Sequence, residues 1–323
     1  MQSYWMKTLN NESTLELREV AQPEPGSQQL LVRLYAAGLN RGELLTGLSA
    51  IGKAVGMEGA GEVLKSGAGV TGFQPGDRVM GRCTSAFSEY VLMDLHEVMR
   101  MPAALSWEEA ASVPLTFMVV YDMLVEQGRL AAGEWMLVNG ISSGVGVAAL
   151  QTAKALGARV IGTSGSAEKL ARLRPLGLDV SLCTRAADFH GPVMEATSGK
   201  GVNLVVNAVG GSVFAEGLSC LAFEGRHATV GYVDGSLTAE IDLETLHMKR
   251  LHLFGVSNKL RTREQRASSV AGFITDVLPA LADGRIRPLV DKVFAFGELA
   301  AAKACMDANQ HLGKIVLAMP GGR

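Results

Sequence analysis

The sequence predicts a chain of the α/β class, in which a doubly wound parallel sheet is joined to a second, β-rich domain. Three observations support this prediction. Residues 1 to about 110 form short strand patterns broken by glycine and proline. Between residues 135 and 256, buried strand patterns alternate with helical ones. Strand patterns return at 292–295 and 314–319, after the parallel sheet is complete, so we expect this tail to rejoin the first domain.

The composition of the chain argues against some kinds of binding partner. The chain has 323 residues, which is enough for two domains with substantial cores. A net charge of −2 argues against nucleic acid or an anionic membrane as the main partner. No apolar run is long enough to span a bilayer, so we expect no membrane partner. The cysteines are scattered without a C-x-x-C pair, which favours a cytoplasmic protein.

The segment 135–163 is the centre of the predicted parallel sheet. It contains a buried strand (135–139), a tight turn (140–144), a helix (145–156) and a second strand (159–163). In such a unit the helix N-terminus faces the carboxyl end of the first strand, where it binds an anion, usually a dinucleotide pyrophosphate. The residues we expect to bind it are Ser142, Ser143, Gly144, Val145 and Gly146.

The turn departs from the usual G-x-G-x-x-G pattern. That pattern would place glycines at Ile141, Ser143 and Gly146, and only the last is present. On the turn alone, a nucleotide site and an ordinary strand–helix turn are equally good interpretations.

The end of the second strand points to NADP. NAD-binding proteins carry an acidic residue there for the ribose hydroxyls, and this chain has Ser164, followed by Ser166 and Lys169. Hydroxyls and an ammonium suit a 2′-phosphate. The alternative is that Ser166 simply caps a helix. Both interpretations can hold together, because a capped helix start also binds phosphate.

A family resemblance follows from motifs spread along the chain. The motifs are Gly38-Leu39-Asn40, Gly56-Met57-Glu58-Gly59-Ala60-Gly61, Gly76-Asp77-Arg78-Val79, Glu109-Ala110-Ala111, Gly144-Val145-Gly146, Gly201-Val202-Asn203 and Gly313-Lys314. With these motifs, the chain resembles the zinc-free medium-chain dehydrogenases/reductases of the quinone oxidoreductase (zeta-crystallin-like) branch. Its first half also resembles enoyl reductase domains of polyketide and fatty acid synthases.

The resemblance implies a domain plan and an assembly. It implies a GroES-like catalytic domain at 1–119 that is completed by 267–323, and a Rossmann NADP-binding domain at 120–266. It also implies a homodimer formed through the last strand of the Rossmann sheet. With NADPH as the cofactor, the further residues expected to contact it are Arg185, Val209, Gly210, Val256, Ser257 and Lys314.

The chain lacks the zinc ligands of related alcohol dehydrogenases. Those enzymes hold catalytic zinc with a cysteine and a histidine at places that here contain Asn40-Arg41 and Met57. Neither a thiolate nor an imidazole remains, so we expect no metal. A second departure is that Val119 and Val120 occupy places where the family often has threonine and alanine, with the threonine near the nicotinamide.

Without zinc, the acceptor must itself stabilise negative charge. A quinone or an α,β-unsaturated carbonyl does so, because its conjugated oxygen takes up the charge after hydride transfer. By resemblance, Asn40 lies near the substrate and could donate its amide N–H to that oxygen, and Arg41 is a weaker catalytic candidate. The alternative for Asn40 is a turn residue that caps a strand end.

We therefore predict a zinc-independent, NADPH-dependent reductase of a quinone or enone. Two alternatives stay open. One is an enoyl or 2-alkenal reductase of secondary or lipid metabolism, and the other is an NADPH-binding relative with little activity. RNA binding is disfavoured, because the chain has no basic stripe with interleaved aromatic residues.

Overall fold

The computed structural model describes residues 1–9, 12–44 and 49–321. The chain divides into two compact units. The terminal unit consists of Met1–Met118 and the chain from Arg263 onward, and the central unit is Val119–Thr262. The boundaries expected from the sequence lay after 119 and after 266.

Strands form the framework of both units. Over the described residues they are β1 (Gln2–Leu9), β2 (Glu12–Glu19), β3 (Gln29–Gly38), β4 (Ser49–Ala54), β5 (Glu58–Ser66), β6 (Arg78–Cys83), β7 (Tyr90–Arg100), β8 (Trp135–Asn139), β9 (Arg159–Ser164), β10 (Val180–Cys183), β11 (Val202–Asn207), β12 (Leu221–Thr229), β13 (His252–Gly255), β14 (Val290–Ala295) and β15 (Lys314–Ala318).

Helices are short in the terminal unit and flank the sheet in the central unit. Over the same residues they are α1 (Trp107–Ala111), α2 (Thr116–Tyr121), α3 (Gly144–Ala155), α4 (Ala167–Leu173), α5 (His190–Ala196), α6 (Phe214–Ser219), α7 (Leu243–Met248), α8 (Arg263–Asp276), α9 (Leu278–Ala282) and α10 (Leu299–Asp307).

The terminal unit is built on two sheets. The strands β2, β1 and β4 form a small antiparallel sheet, and β14, β15, β3, β5, β6 and β7 form a larger one. Strand β3 also pairs with β7, so the strands from β3 to β7 of the larger sheet close on themselves. Strand β15 pairs antiparallel with β3, opposite Ala36, Ala37 and Gly38. The chain's tail therefore lies beside a strand from its first forty residues.

Alternating apolar residues explain how this sheet encloses a core. In β3, Leu30, Val32 and Leu34 point to one face and are at most 1% exposed. They pack in one cluster with Phe87 and Leu317, the latter from β15. Burying each such side chain contributes about 1.5–3 kcal/mol. The tail strand is thus part of the core that holds the unit together.

The central unit contains one fully parallel sheet. Its strand order is β10-β9-β8-β11-β12-β13, with helices between successive strands. Strand β11 is buried on both faces, as Leu204, Val205 and Val206 show by having no exposed surface. The predicted fold class, a doubly wound parallel sheet with a β-rich GroES-like domain, is confirmed. The order changes direction at β8, where the carboxyl ends of β8 and β11 meet in the position that ligands occupy in such sheets.

One helical segment of the terminal unit is divided in two. The pattern at 268–284 predicts a single helix, whereas the structure has α8 and α9 separated at Val277. Pro279 lies in the first turn of α9. Proline has no N–H to donate to the preceding turn and its ring clashes with that turn, so the helix ends and restarts.

His227 is a buried polar group in the core of the central unit. It has no exposed surface, and its ring lies 4.4 Å from that of Phe214, centroid to centroid. Among the described residues, neither ring nitrogen has a hydrogen-bond partner. Burial therefore favours the neutral imidazole and lowers the pKa of His227 to about 4.

This burial predicts an acid-sensitive step in stability. The unfolded chain takes up the proton near pH 6.5 and the folded chain only near pH 4, so stability is complete above pH 6.5 and is lost as the pH falls. The loss should reach about 3 kcal/mol in the free energy of unfolding. Urea unfolding at a series of pH values measures this loss. His227→Phe should remove this part of the slope of the unfolding free energy against pH.

His247, which is exposed on α7, provides the control. His247→Phe should retain the parent's slope between pH 6.5 and pH 4. An unchanged slope in His227→Phe would show that His227 does not cause the acid sensitivity. Because slopes are compared, a uniform loss of stability in either variant does not affect the result.

Candidate functional site

The turn after β8 is shaped by contacts that bring a helix start close to a strand end. Gly140 has a φ of 80°, which favours glycine. The Ser143 hydroxyl donates to the Gly140 carbonyl at 2.9 Å and accepts from the Gly146 amide at 3.0 Å, which caps α3. A side chain on Gly146 would lie 2.6 Å from the Gly140 carbonyl oxygen and from Ile141, so only glycine fits.

The first turn of α3 therefore offers free donors at the edge of the sheet. The amides of Gly144 and Val145 have no intrahelical acceptor, as at every helix start. With the positive end of the helix dipole, they suit a phosphate. The turn therefore has the local geometry of a phosphate-binding turn, although two glycines of the usual pattern are absent.

Serines connect this turn to the end of β9. The hydroxyls of Ser142 and Ser164 lie 3.2 Å apart. The Ser166 amide donates to the Ser164 hydroxyl at 3.4 Å, and the Ser166 hydroxyl accepts from the Lys169 amide at 3.3 Å. The structure brings these predicted residues together because β8 and β9 are parallel neighbours.

Arg185 belongs to the same edge of the sheet. Strand β10 runs parallel to β9 with Cys183 opposite Ser164, so Arg185 follows the strand end by two residues. Its side chain is exposed and passes directly over Gly165. The edge of β9 and β10 therefore carries hydroxyls, an ammonium and a guanidinium, which together favour an anionic ligand.

The other predicted residues of the central unit follow β11 and β13. The Asn207 side chain accepts from the amides of Val209 and Gly210 at 2.9 and 3.0 Å, and it donates to the Gly210 carbonyl at 2.9 Å. Val256 donates its amide to the Thr229 carbonyl, and Ser257 follows it. Asn207 was missed by sequence reasoning, although a polar residue at the end of a buried strand is a usable signal.

In the terminal unit, the Lys314 ammonium lies in a buried polar cluster. It is 2.7 Å from Glu58 Oε1, 2.9 Å from Asn40 Oδ1, 3.1 Å from Thr116 Oγ1 and 3.0 Å from the Leu39 carbonyl. The side chains of Lys314 and Glu58 are 7% and 0% exposed, so their charges are removed from water together. Lys314 was expected to contact the cofactor, and in the structure its ammonium engages these four oxygens.

The same cluster orients Asn40. Its Nδ2 donates to Glu58 Oε1 at 2.8 Å, and its Oδ1 accepts from Lys314. Glu58 Oε2 in turn accepts from the Leu115 amide at 2.7 Å. An amide nitrogen carries two hydrogens, so the Asn40 side chain retains one N–H beyond its bond to Glu58. Asn40 also accepts from the Glu43 amide through its carbonyl, so it is a turn residue as well.

Arg41 has a different environment from Asn40. Its guanidinium donates to the Met306 carbonyl and to the Asn309 side chain, both at 2.7 Å. These acceptors belong to the end of α10 and the residues after it. Arg41 therefore links the turn that follows β3 to the C-terminal helix of the same unit.

Glu43 is a buried carboxyl in the turn that follows β3. It is 6% exposed, and its Oε1 accepts from the Asn40 amide at 2.7 Å. Burial raises the pKa of Glu43 to about 8, so the group is mostly protonated at neutral pH.

The described residues contain neither a cluster suited to a metal ion nor a helix suited to a membrane. Over 1–9, 12–44 and 49–321, no group of three or more histidine, cysteine or acidic side chains is arranged to hold a metal ion. In that same part of the chain, no helix combines the length and the apolar character needed to cross a membrane.

The fold and the turn before α3 together are typical of a dinucleotide-binding protein. A doubly wound sheet with an anion-binding turn is combined with a closed β-rich unit that carries a buried polar cluster. Two family descriptions match the chain: the alcohol dehydrogenase GroES-like domain over residues 26–103 and the zinc-binding dehydrogenase over residues 144–271. The chain belongs to the medium-chain dehydrogenase/reductase superfamily.

Similar proteins include both synthase domains and separate enzymes. The chain is 31% identical over 312 residues to a phenolphthiocerol/phthiocerol polyketide synthase polypeptide of Mycobacterium tuberculosis, covering 95% of this chain and 14% of that protein. It thus spans about a seventh of this curated relative's length. CurK enoyl reductase has a TM-score of 0.86 at 26% identity, with 99% and 100% of the two chains covered. Escherichia coli quinone oxidoreductase complexed with NADPH has a TM-score of 0.85 at 26% identity, with 98% and 100% covered.

The buried cluster predicts a large stability difference between two lysines. Lys314→Met leaves the carboxylate of Glu58 buried without its cation, which should lower the free energy of unfolding by about 3–5 kcal/mol. The control is Lys65→Met, because Lys65 and Glu24 form an exposed pair whose side chains are 58% and 74% accessible. Its loss should cost about 0–1 kcal/mol.

A double variant distinguishes the effect of an unpaired buried charge from the effect of disturbed packing. Glu58→Leu combined with Lys314→Met removes both charges, so the double variant should be more stable than Lys314→Met alone. Urea unfolding of the three variants and the parent measures these differences. Equal losses for Lys314→Met and Lys65→Met would contradict the role assigned to the cluster.

Proposed function

We propose that the chain is a zinc-independent, NADPH-dependent oxidoreductase that transfers hydride to a quinone or an α,β-unsaturated carbonyl. The observation that carries the proposal is the Asn40 side chain, which is oriented by Lys314 and Glu58 and retains an N–H donor. In the zinc-dependent relatives a metal ligand stands at that place, and here an amide stands there instead.

The edge of β9 and β10 supports NADPH as the cofactor. Ser164 stands where an acidic residue would accept from the ribose hydroxyls of NAD, Ser166 and Lys169 follow it at the start of α4, and Arg185 lies over the adjacent Gly165. Each is suited to donate to a 2′-phosphate. The pyrophosphate would bind at the first turn of α3, at Ser143, Gly144 and Val145. E. coli quinone oxidoreductase, a structural neighbour, is complexed with NADPH.

The remaining residues would position and polarise the reactants. NADPH, when bound, supplies the hydride. The turn after β11, fixed by Asn207, would hold the nicotinamide end at Val209 and Gly210, together with Val256 and Ser257 from the segment after β13. Asn40 would donate its remaining N–H to the acceptor oxygen as negative charge develops there.

The acceptor should be conjugated because the protein offers little charge stabilisation. One neutral amide donor is worth about 2.7–4 kcal/mol in the transition state. That suffices for a quinone or an enone, whose oxygen becomes a delocalised enolate or phenolate. A saturated alcohol lacks this delocalisation, and its oxidation would require a stronger base or a metal.

An enoyl reductase is the second candidate. Its support is the likeness to polyketide synthases and to CurK enoyl reductase. The same hydride transfer would then reduce an α,β-unsaturated acyl thioester. The two functions differ in the acceptor and share the cofactor site, so a comparison of acceptors separates them.

We also propose a cytoplasmic homodimer formed through β13. This strand lies at the end of the parallel sheet and pairs only with β12 among the described residues, which leaves one hydrogen-bonding edge open. A second copy could extend the sheet there. Nearby apolar side chains are exposed, with Tyr232 at 65%, Leu243 at 71% and Met248 at 66%.

The cofactor proposal predicts that Lys169→Ala selectively weakens the affinity for NADPH. Removal of the ammonium should weaken NADPH binding roughly 10- to 100-fold, because a charge-assisted contact with phosphate is lost. NADH has no 2′-phosphate, so its affinity should change by less than about twofold. Titration of nicotinamide fluorescence gives both dissociation constants.

Lys200, an exposed lysine of the same unit, is the matched control. Lys200→Ala should leave both affinities at the parent values. Equal affinities for NADPH and NADH in the parent protein would refute the cofactor assignment.

The acceptor proposal predicts that Asn40→Ala lowers kcat about 100-fold on a quinone or enone, with a smaller change in KM. The amide would serve the charge that develops in the transition state, so binding of the ground state is less affected. Initial rates of NADPH oxidation over a panel of quinones, enones and an enoyl thioester measure this. With NADP⁺ as the oxidant, ethanol and other saturated alcohols should show no formation of NADPH.

Thr116 supplies the control, because its hydroxyl contacts Lys314 in the same cluster. Thr116→Val perturbs the cluster and keeps the Asn40 amide, so kcat should fall by less than about fivefold. Equal losses in the two variants would assign Asn40 a structural role only. Binding of NADPH without turnover of any acceptor would favour an NADPH-binding protein with little activity.

A further inference from the structure

We propose that Gly165 determines the preference for NADPH over NADH, because its missing side chain leaves the space in which Arg185 lies over the end of β9. The inference rests on the proposed NADPH site and adds a specificity residue to it. Gly165 would touch no ligand itself. It would act by positioning the Arg185 guanidinium.

The space above Gly165 is filled by one side chain. A methyl group added at Gly165 would lie 2.6 Å from Arg185 Cγ and 2.7 Å from Arg185 Cδ, and it would overlap Arg185 Nε. These three are the nearest heavy atoms to that position. The aliphatic part of Arg185 therefore packs on the backbone of Gly165, where any other residue would displace it.

The backbone of Gly165 does not itself require glycine. Its φ is outside the left-handed range that glycine alone adopts readily, unlike that of Gly140. Alanine is therefore compatible with the local backbone conformation. Arg185 is exposed, so its flexible side chain can move away from an added methyl group at little cost to the fold. A substitution at Gly165 should relocate Arg185 and leave stability nearly unchanged.

The base of the Arg185 side chain is fixed by a turn. The Thr184 hydroxyl donates to Asp188 at 2.7 Å and accepts from the Ala186 amide at 3.0 Å. Residue 185 is therefore held between two hydrogen-bonded neighbours just beyond β10. From this point the side chain extends sideways to the end of β9, and Gly165 provides the surface on which it rests.

This placement brings a guanidinium next to the serines of the proposed 2′-phosphate site. Gly165 lies between Ser164 and Ser166, whose hydroxyl and amide are hydrogen-bonded to each other. A guanidinium can donate two parallel hydrogen bonds to a phosphate. NADH presents only a hydroxyl at that place, so the position of Arg185 affects the two cofactors differently.

The experiment compares four proteins by fluorescence titration with NADPH and with NADH. They are the parent, Gly165→Ala, Arg185→Ala and the double variant. Gly165→Ala should raise the Kd for NADPH about tenfold and change that for NADH by less than about twofold. Arg185→Ala should show the same selectivity. In the double variant the Kd for NADPH should equal that of Arg185→Ala, because Gly165 acts only through Arg185.

The control is Gly191→Ala, since Gly191 is exposed on α5 and an added methyl group meets nothing within 4 Å. It should leave both affinities unchanged. The thermal midpoint of Gly165→Ala should stay at the parent value, which separates relocation of Arg185 from damage to the fold.

Other results would overturn the inference in distinguishable ways. An unchanged ratio of the two Kd values in Gly165→Ala or in Arg185→Ala would reject it, as would a double variant weaker than Arg185→Ala. Equal weakening of NADPH and NADH would assign Gly165 a general structural role. A parent protein that binds both cofactors equally would instead refute the proposed NADPH site.

Discussion

The Lys314 ammonium is the point on which the terminal unit depends, because it joins segments from both ends of the chain inside a buried cluster. It lies at the start of β15, whereas its partner Glu58 begins β5 and Asn40 follows β3. Two charges removed from water are stable only when their geometry is good and their remaining hydrogen-bonding groups are satisfied. Here Glu58 Oε1 accepts from Lys314 and Asn40, and Oε2 accepts from the Leu115 amide. Gly38 is part of this constraint, since a side chain there would lie 2.6 Å from Glu58 Oε1.

The cluster gives Asn40 a fixed orientation without leaving excess charge beside it. The charges of Lys314 and Glu58 balance, and burial keeps Glu43 mostly neutral at neutral pH. A neutral, oriented amide donor is a weak but preorganised electrophile, which matches an acceptor that delocalises its own charge. In the central unit, the edge of β9 and β10 contributes the cationic groups, and the first turn of α3 contributes backbone donors. In the proposed function, separate parts of the chain would supply cofactor specificity and acceptor polarisation.

Local patterns in the sequence were sufficient to predict the parallel sheet and the turn before α3. Buried strands and amphipathic helices have short periods, so 135–139 and 159–163 indicate β8 and β9 almost to the residue. Long-range contacts were not predictable in the same way. Lys314 and Glu58 are 256 positions apart, and nothing in the local sequence indicates that they share a buried site. The burial of Glu43 and the packing of Arg185 on Gly165 likewise depend on neighbours from other strands. Sequence periodicity defines elements, whereas the pairing of buried polar groups depends on the tertiary structure.

Transfer of deuterium from NADPH labelled at C4 of the nicotinamide tests the central claim most directly. With an enone acceptor and protein freed of metal by chelation, both stereoisomers of the labelled cofactor are supplied in separate reactions. The account predicts that one of them places deuterium on the β-carbon of the reduced product, as detected by mass spectrometry and NMR. A product formed without deuterium from either stereoisomer, or turnover that appears only when zinc is restored, would contradict metal-free hydride transfer.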